Sequence, residues 1–232
     1  MDFTRFNAPA HHTLLTPEQV IEYSAAAEKY YTVDYAYHNW DHAQAVVEGT
    51  NIITGKLEAK NIVVAKRALV LAAAWHDAGY HEDHLVKGFA TKELYSAALL
   101  DQFLEDKPVG DGEKRLMRLA IVATWAGHTA LRTPYELILH RSDIANIGGP
   151  TELFIENSVK LWKEFQYTTG TQISWDDYVR NSTPFIQHTA SEHDIESLGH
   201  GIHPDDTTID VYNTPYKNQA LLNLAMLQTL QQ

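Results

Sequence analysis

Residues 69–79 of the chain read LVLAAAWHDAG. The seven residues before His76 are apolar without interruption, and this pattern predicts a buried helix rather than one with a solvent-facing side. His76 and Asp77 close the run, and Gly79 lets the chain turn away after them. Because burying an unpaired carboxylate costs several kcal/mol, the pair needs a partner, and one metal ion would serve both side chains.

The rest of the chain carries the signals of further long helices. A cap-like residue followed by proline occurs four times, and in two of these places a Gln or Glu three residues after the cap completes a capping box. The four starts are Thr16-Pro17, Thr133-Pro134, Gly149-Pro150 and Thr214-Pro215. Apolar spacings of three and four predict helices over roughly 40–53, 62–78, 89–104, 113–127 and 175–188, with a long loop over 189–212 in which only 207–212 alternates like a short strand.

These patterns predict an all-α fold. No linker, repeat or low-complexity tract divides the sequence, so we expect a single domain over residues 1–232. Its core would span about residues 17–148, and a C-terminal helical layer would span about residues 149–232.

The amino-acid composition excludes several classes of functional site. The 232 residues include 13 His and no Cys, and 18 Lys and Arg stand against 30 Asp and Glu, a net charge of −12. Without cysteine there is no disulfide, thiolate metal site, iron–sulfur cluster or cysteine nucleophile, so any metal is held by His, Asp and Glu. The negative charge opposes a nucleic-acid polymer as partner, because phosphate backbones bind to clustered Lys and Arg.

The sequence shows no targeting signal. Its first residues lack a basic segment followed by an apolar one, and the longest apolar run, residues 68–75, is too short to cross a bilayer. We therefore expect a cytoplasmic protein with no membrane partner. The sequence is compatible with a homo-oligomer.

Further metal ligands must come from outside the His-Asp pair. The best candidates are His42, in a segment that enters a helix, and Asp143, in the helix that begins at Pro134. Together with His76 and Asp77 they form a mixed nitrogen and oxygen donor set. Such a set suits one divalent ion, Mn²⁺, Fe²⁺, Ni²⁺, Co²⁺ or Zn²⁺, and leaves positions for water and a substrate oxygen.

The order of these ligands resembles the HD-domain superfamily of metal-dependent phosphohydrolases, which carries a His…His-Asp…Asp metal set on a helical bundle. Five blocks follow the order of a branch described as predicted HD phosphohydrolases. They are YHNWDH at 37–42, AWHDAGY at 74–80, ELYSA at 93–97, IVATWAGH at 121–128 and SDIANIG at 142–148. The resemblance implies an HD-domain helical bundle with additional C-terminal helices, and it places the metal on His42, His76, Asp77 and Asp143.

The chain departs from this branch where an Asn-Glu pair commonly precedes Ser-Ala, because Thr91-Lys92-Glu93 stands there and keeps only the Glu. Members that act on guanosine alarmones carry a Glu-Asp soon after His-Asp, whereas Glu82-Asp83 follows here at a looser spacing.

The reaction implied is hydrolysis of a small anionic substrate that contains phosphate, with a nucleotide as the favoured case. A carboxylate must accept the proton of the attacking water. Glu93 is the preferred base, and Glu82 and Asp83 are its competitors. In an acidic protein the phosphate needs local cations and donors, for which the candidates are His38, Lys87, Lys92, Thr124, His128 and Arg141.

Two other functions compete. A di-iron oxygenase, as found among HD-domain relatives, needs two further His, for which His81 or His84 and His128 would have to serve. A non-catalytic sensor would bind metal and nucleotide through the same site without turnover.

Overall fold

The computed structural model describes residues 14–127, 133–191 and 214–231. Within these ranges the chain is helical and contains no strand, which confirms the predicted all-α fold. The helices are α1 (Pro17–Ala25), α2 (Trp40–Ala59), α3 (Lys66–Trp75), α4 (Lys92–Phe103), α5 (Asp111–Val122), α6 (Pro134–Asp143), α7 (Thr151–Thr169), α8 (Trp175–Ser191) and α9 (Thr214–Thr229), with 3₁₀ turns at Glu28–Tyr30 and Ala145–Gly148.

Both predicted capping boxes form. Thr16 accepts a hydrogen bond from the Gln19 amide at 3.2 Å, and the Gln19 side chain accepts one from the Thr16 amide at 2.8 Å. Thr133 and Glu136 make the same reciprocal pair at the start of α6. These bonds satisfy amide groups that have no partner inside the helix, so the two helix starts could be located from the sequence.

The ends of two helices differ from the ends predicted from the sequence. Helix α3 begins at Lys66 and ends at Trp75, inside the predicted range 62–78, because residues 76–79 form the turn that follows it. Helix α8 continues through Pro184 to Ser191, so the first part of the predicted loop is helical. The alternating residues 207–212 lie outside the described part of the chain.

The chain divides into two compact units. The first contains the described residues up to Asp34 together with His38–Asp143, and the second contains Tyr35–Tyr37 and the described residues from Ile144 onward. The first unit therefore holds α1–α6, and the second holds α7–α9. Among the described residues, no helix has both the length and the apolar character needed to cross a membrane.

Helix α3 forms the centre of the first unit. Residues 68–75 are all buried, which confirms the buried helix predicted from the apolar run. Trp75 ends this helix with no exposed surface, and its indole Nε1 donates to the Tyr23 carbonyl at 2.9 Å. Burying each large apolar side chain contributes about 1.5–3 kcal/mol. The burial of α3 therefore holds the C-terminal end of this helix in place within the core.

The turn after α3 is fixed by glycine. Gly79 has φ of +74°, and its amide donates to the Tyr30 carbonyl at 2.9 Å. A Cβ added at Gly79 would stand 2.7 Å from Leu99 Cδ1 and 2.8 Å from Tyr95 Cε1, both on α4. Ser96 of α4 also donates to the Ala78 carbonyl at 2.8 Å. The turn therefore packs tightly against α4.

The second unit has its own core, built around buried residues of α7–α9 such as Phe154, Val179 and Leu227. The fully buried Asn223 donates to the carbonyls of Ile147 and Gly149 at 3.0 and 2.9 Å. These bonds tie α9 to the segment that leads into α7.

We predict that Gly79→Ala lowers the free energy of unfolding by about 3 kcal/mol, because positive φ and overpacking against α4 act together. Gly88→Ala is the matched control: Gly88 has φ of +87° but no atom within 4 Å of an added Cβ, so only the backbone penalty of about 1 kcal/mol applies. Urea unfolding measures both. Equal losses in the two variants would contradict the close packing of the turn.

Candidate functional site

The four residues predicted to bind metal lie at three helix ends of the first unit. His42 is the third residue of α2, His76 and Asp77 directly follow α3, and Asp143 is the last residue of α6. At a helix end a polar side chain can be buried by the core and still point away from the helix toward side chains of another element. This placement therefore allows four polar side chains to meet at one buried point.

The four side chains converge. His42 Nε2 lies 3.1 Å from Asp143 Oδ1 and 3.6 Å from Asp77 Oδ2. His76 Nε2 lies 3.1 Å from Asp77 Oδ2 and 3.4 Å from Asp143 Oδ1. One ligand atom each of His42, His76 and Asp143 falls within 4.8 Å of the others. The Nε2 atoms of both histidines therefore face both carboxylates.

The fully buried His76 tests whether these residues fit a metal. Its Nδ1 lies 2.8 Å from the Ala73 carbonyl, which assigns a proton to Nδ1, so the neutral ring carries its lone pair on Nε2. Nε2 makes no well-directed hydrogen bond, although two carboxylates stand beside it. Acceptor atoms that face one another need a cation between them, and an imidazole held through Nδ1 is the usual metal-binding arrangement. The cluster fits a metal.

The electrostatics of the cluster show how strongly it favours positive charge at its centre. Burial alone would lower the His76 pKa, but without a bound metal the charge of Asp77 raises it well above its ordinary value, so His76 Nε2 takes up either a proton or a metal ion. Burial would raise the Asp143 pKa, but the hydrogen bond with His42 and the neighbouring His76 hold it far below its ordinary value. The site therefore keeps its carboxylates ionised and calls for positive charge at its centre.

Neighbouring residues hold the ligands in place. Asn39 caps α2 by accepting from the amides of Asp41 and His42 at 3.0 and 3.3 Å. The Tyr31 hydroxyl donates to the Ala74 carbonyl at 3.0 Å and accepts from the Asp77 amide at 3.3 Å. Tyr31 therefore fixes the backbone that carries both His76 and Asp77.

A close helix contact brings His42 and Asp143 together. Gly49 of α2 packs against Ser142 of α6, where an added Cβ would stand 3.4 Å from Ser142 Cβ. This is an ordinary van der Waals distance, so the two helices are in direct contact here, and Asp143 follows Ser142 directly.

Glu93 lies near the cluster at the start of α4, which Thr91 caps by accepting from the Leu94 amide at 3.2 Å. Burial raises the pKa of this carboxyl, and the charges of Asp77 and Asp143 raise it further. The pKa of Glu93 therefore responds to two of the proposed metal ligands.

The two competing carboxylates are engaged elsewhere. Glu82 forms an ion pair with Lys87, and this hydrogen bond lowers the Glu82 pKa. The exposed Asp83 accepts from the amides of Leu85 and Val86 at 3.0 and 3.2 Å and so closes a turn. Lys87, a predicted phosphate cation, therefore has a carboxylate partner within its own loop.

The other predicted substrate residues fall into two groups. The His38 ring stacks on Tyr80 at 4.0 Å between centroids, and Lys92 Nζ lies 3.3 Å from the same centroid. The two groups would overlap on one face, so they lie on opposite faces of the Tyr80 ring. Thr124 is buried and donates to the Ile121 carbonyl at 2.8 Å, and Arg141 is buried within α6. His128 lies outside the described residues.

Tyr80 and Tyr31 are residues of the site that the sequence did not single out. Tyr80 ends the AWHDAGY block, three positions after Asp77, and that is the sequence signal it gives. His81 and His84, considered for a second iron, do not belong to the His42, His76 and Asp143 cluster, which is the only such group found in the described ranges.

Known structures share this architecture. The phosphodiesterase domain of Salpingoeca rosetta rhodopsin phosphodiesterase matches 91% of this chain and 80% of its own, with a TM-score of 0.68 and 16% identity. LmjPDEB1 in complex with IBMX matches 88% of this chain and 76% of its own, with a TM-score of 0.57 and 13% identity. The fold resembles that of phosphodiesterase domains.

At these identities the likeness concerns the fold. No family model matches the sequence, and no curated protein matches it. The case for a metal in this chain therefore depends on the cluster itself.

We predict that Asp143→Asn, which keeps the shape of the side chain, raises the Kd for Mn²⁺ at least about 100-fold, since ligand loss costs more than the 10–100-fold typical of outer-shell changes. At 100 times the Kd, bound metal adds about 2.7 kcal/mol to the wild-type stability. Calorimetric titration and the metal-dependent rise in Tm measure both effects.

His188→Ala serves as the control, because His188 is an exposed histidine on α8 of the second unit. It should bind Mn²⁺ like the wild type. Unchanged Mn²⁺ affinity in Asp143→Asn would show that the cluster is not the metal site.

Proposed function

We propose that this protein is a metal-dependent phosphohydrolase that acts on a small phosphorylated metabolite, with a nucleotide as the favoured substrate. The observation that carries the proposal is the buried His76 Nε2, whose lone pair faces the carboxylates of Asp77 and Asp143. The similarity of the fold to phosphodiesterase domains supports the reaction class.

His42, His76, Asp77 and Asp143 would hold one divalent ion. When bound, such an ion lowers the pKa of water and polarises a phosphoryl oxygen. The ligands are two neutral imidazoles and two carboxylates, so they balance the charge of a divalent ion. The negative charge of a bound phosphate group must then be balanced by positively charged side chains nearby.

Glu93 is proposed as the general base. A base works best when its pKa lies near the working pH, and burial moves the Glu93 pKa upward in that direction. Its carboxylate accepts one proton from the attacking water as the new oxygen–phosphorus bond forms. The leaving oxygen takes that proton as its bond to phosphorus breaks.

Lys92 and His38 are proposed to contact the phosphate. Lys92 directly precedes Glu93 in the first turn of α4, and the His38 and His42 rings meet edge to face at 5.7 Å between centroids. In a chain with a net charge of −12, these local donors decide where an anion can bind.

Glu93→Gln should lower kcat at least about 100-fold and leave the Mn²⁺ affinity within about twofold of wild type, because only proton transfer is lost. Release of 4-nitrophenol from 4-nitrophenyl phosphate or its bis ester by the Mn²⁺-loaded protein measures the rate.

Glu156→Gln is the matched control, since Glu156 pairs with Lys160 on the exposed side of α7. The variant Glu82→Gln tests whether Glu82, rather than Glu93, is the general base. A larger loss of kcat in Glu82→Gln than in Glu93→Gln would assign the base to the loop.

The activity itself is tested by incubating the Mn²⁺-loaded protein with nucleotides and other phosphorylated metabolites and measuring released phosphate, pyrophosphate or nucleoside. Turnover that disappears with a chelator and in Asp143→Asn supports the proposal. Tight binding of a nucleotide without turnover of any compound would instead indicate a sensor, and oxygen-dependent turnover with two irons per chain would indicate an oxygenase.

A further inference from the structure

Tyr80 stands between two side chains that can carry positive charge. The His38 ring stacks on one face with an interplanar angle of 13°, and the Lys92 ammonium covers the other at 3.3 Å from the centroid. With both faces covered, the ring is not available to stack on a substrate base. The two ring faces therefore act on His38 and Lys92.

One side of the stack adjoins a proposed metal ligand, and the other side adjoins the proposed base. His38 contacts His42 edge to face, and its charge contributes to lowering the Asp77 pKa. Tyr80 itself is three residues from Asp77 in the turn after α3, and Lys92 shares the first turn of α4 with Glu93. The order of contact therefore runs from a metal ligand through His38 and Tyr80 to Lys92.

A tyrosine ring holds an ammonium group in a particular way. The face of the ring carries negative charge density and attracts a cation, most strongly where water is displaced. A lysine side chain has several rotatable bonds and loses much conformational entropy when it is fixed. A ring that pre-orders the ammonium lowers the entropic cost of binding an anion there.

We propose that Tyr80 is a positioning residue that holds Lys92, the neighbour of the proposed base Glu93, as the cation that receives the substrate's phosphate. His38 supports the opposite face of the ring. This inference rests on the proposed function, and it adds a residue that acts through Lys92 rather than by touching the substrate.

The test uses inorganic phosphate as the probe and the Mn²⁺-loaded protein, with phosphate Kd measured by calorimetry. Tyr80→Leu removes the ring and should raise the phosphate Kd about tenfold, as should Lys92→Met. Tyr80→Phe keeps the ring face and should stay within about threefold of wild type. Combining Tyr80→Leu with Lys92→Met should add no more than about twofold to the effect of Lys92→Met alone.

Lys29→Met is the matched control, because Lys29 makes a similar contact with Tyr30, at 4.9 Å from the ring centroid, and was not assigned to the site. It should leave the phosphate Kd unchanged. All variants should keep the wild-type Mn²⁺ Kd, so that a change in phosphate binding reports the cation and not the metal.

Three results would overturn the inference alone while the metal still binds. They are an unchanged phosphate Kd in Tyr80→Leu, equal effects of Tyr80→Phe and Tyr80→Leu, and full additivity of Tyr80→Leu with Lys92→Met. Failure of the wild type to bind Mn²⁺ would overturn the proposed function and this inference with it.

Discussion

The structure of the site depends on one electrostatic constraint: lone pairs and carboxylates that are buried together need a shared cation. His76 has no exposed surface, its Nδ1 is committed to the Ala73 carbonyl, and its Nε2 faces Asp77 and Asp143. Leaving such groups uncompensated would cost several kcal/mol. The apolar helix α3 imposes this constraint, because it carries His76 into the core.

The surrounding features serve to keep that helix end in place. Trp75 anchors it to Tyr23, and Tyr31 bonds to the backbone on both sides of His76. Gly79 then turns the chain against α4, and the same helix carries Lys92 and Glu93. The metal ligands His76 and Asp77, the proposed base and the proposed phosphate cation thus depend on the packing around one turn.

The sequence predicted this site unevenly, for physical reasons. His76 and Asp77 could be identified because an unbroken apolar run before polar residues reports burial directly. His42 and Asp143 are 101 positions apart and came from the order of a family motif; their contact depends on helix packing at Gly49 and Ser142 that no local pattern encodes. The pairing of Glu82 with Lys87 and the stack on Tyr80 depend on the path of residues 80–91, and loop conformation is not periodic in sequence.

The most direct test of the metal site is anomalous diffraction from crystals of the Mn²⁺-loaded protein, collected at energies above and below the metal edge. A bound metal is predicted to give one anomalous peak, bonded to the Nε2 atoms of His42 and His76 and to carboxylate oxygens of Asp77 and Asp143 at about 2.0–2.3 Å. A metal-loaded crystal with no peak among these four side chains, and with His76 Nε2 hydrogen-bonded to a carboxylate instead, would contradict it.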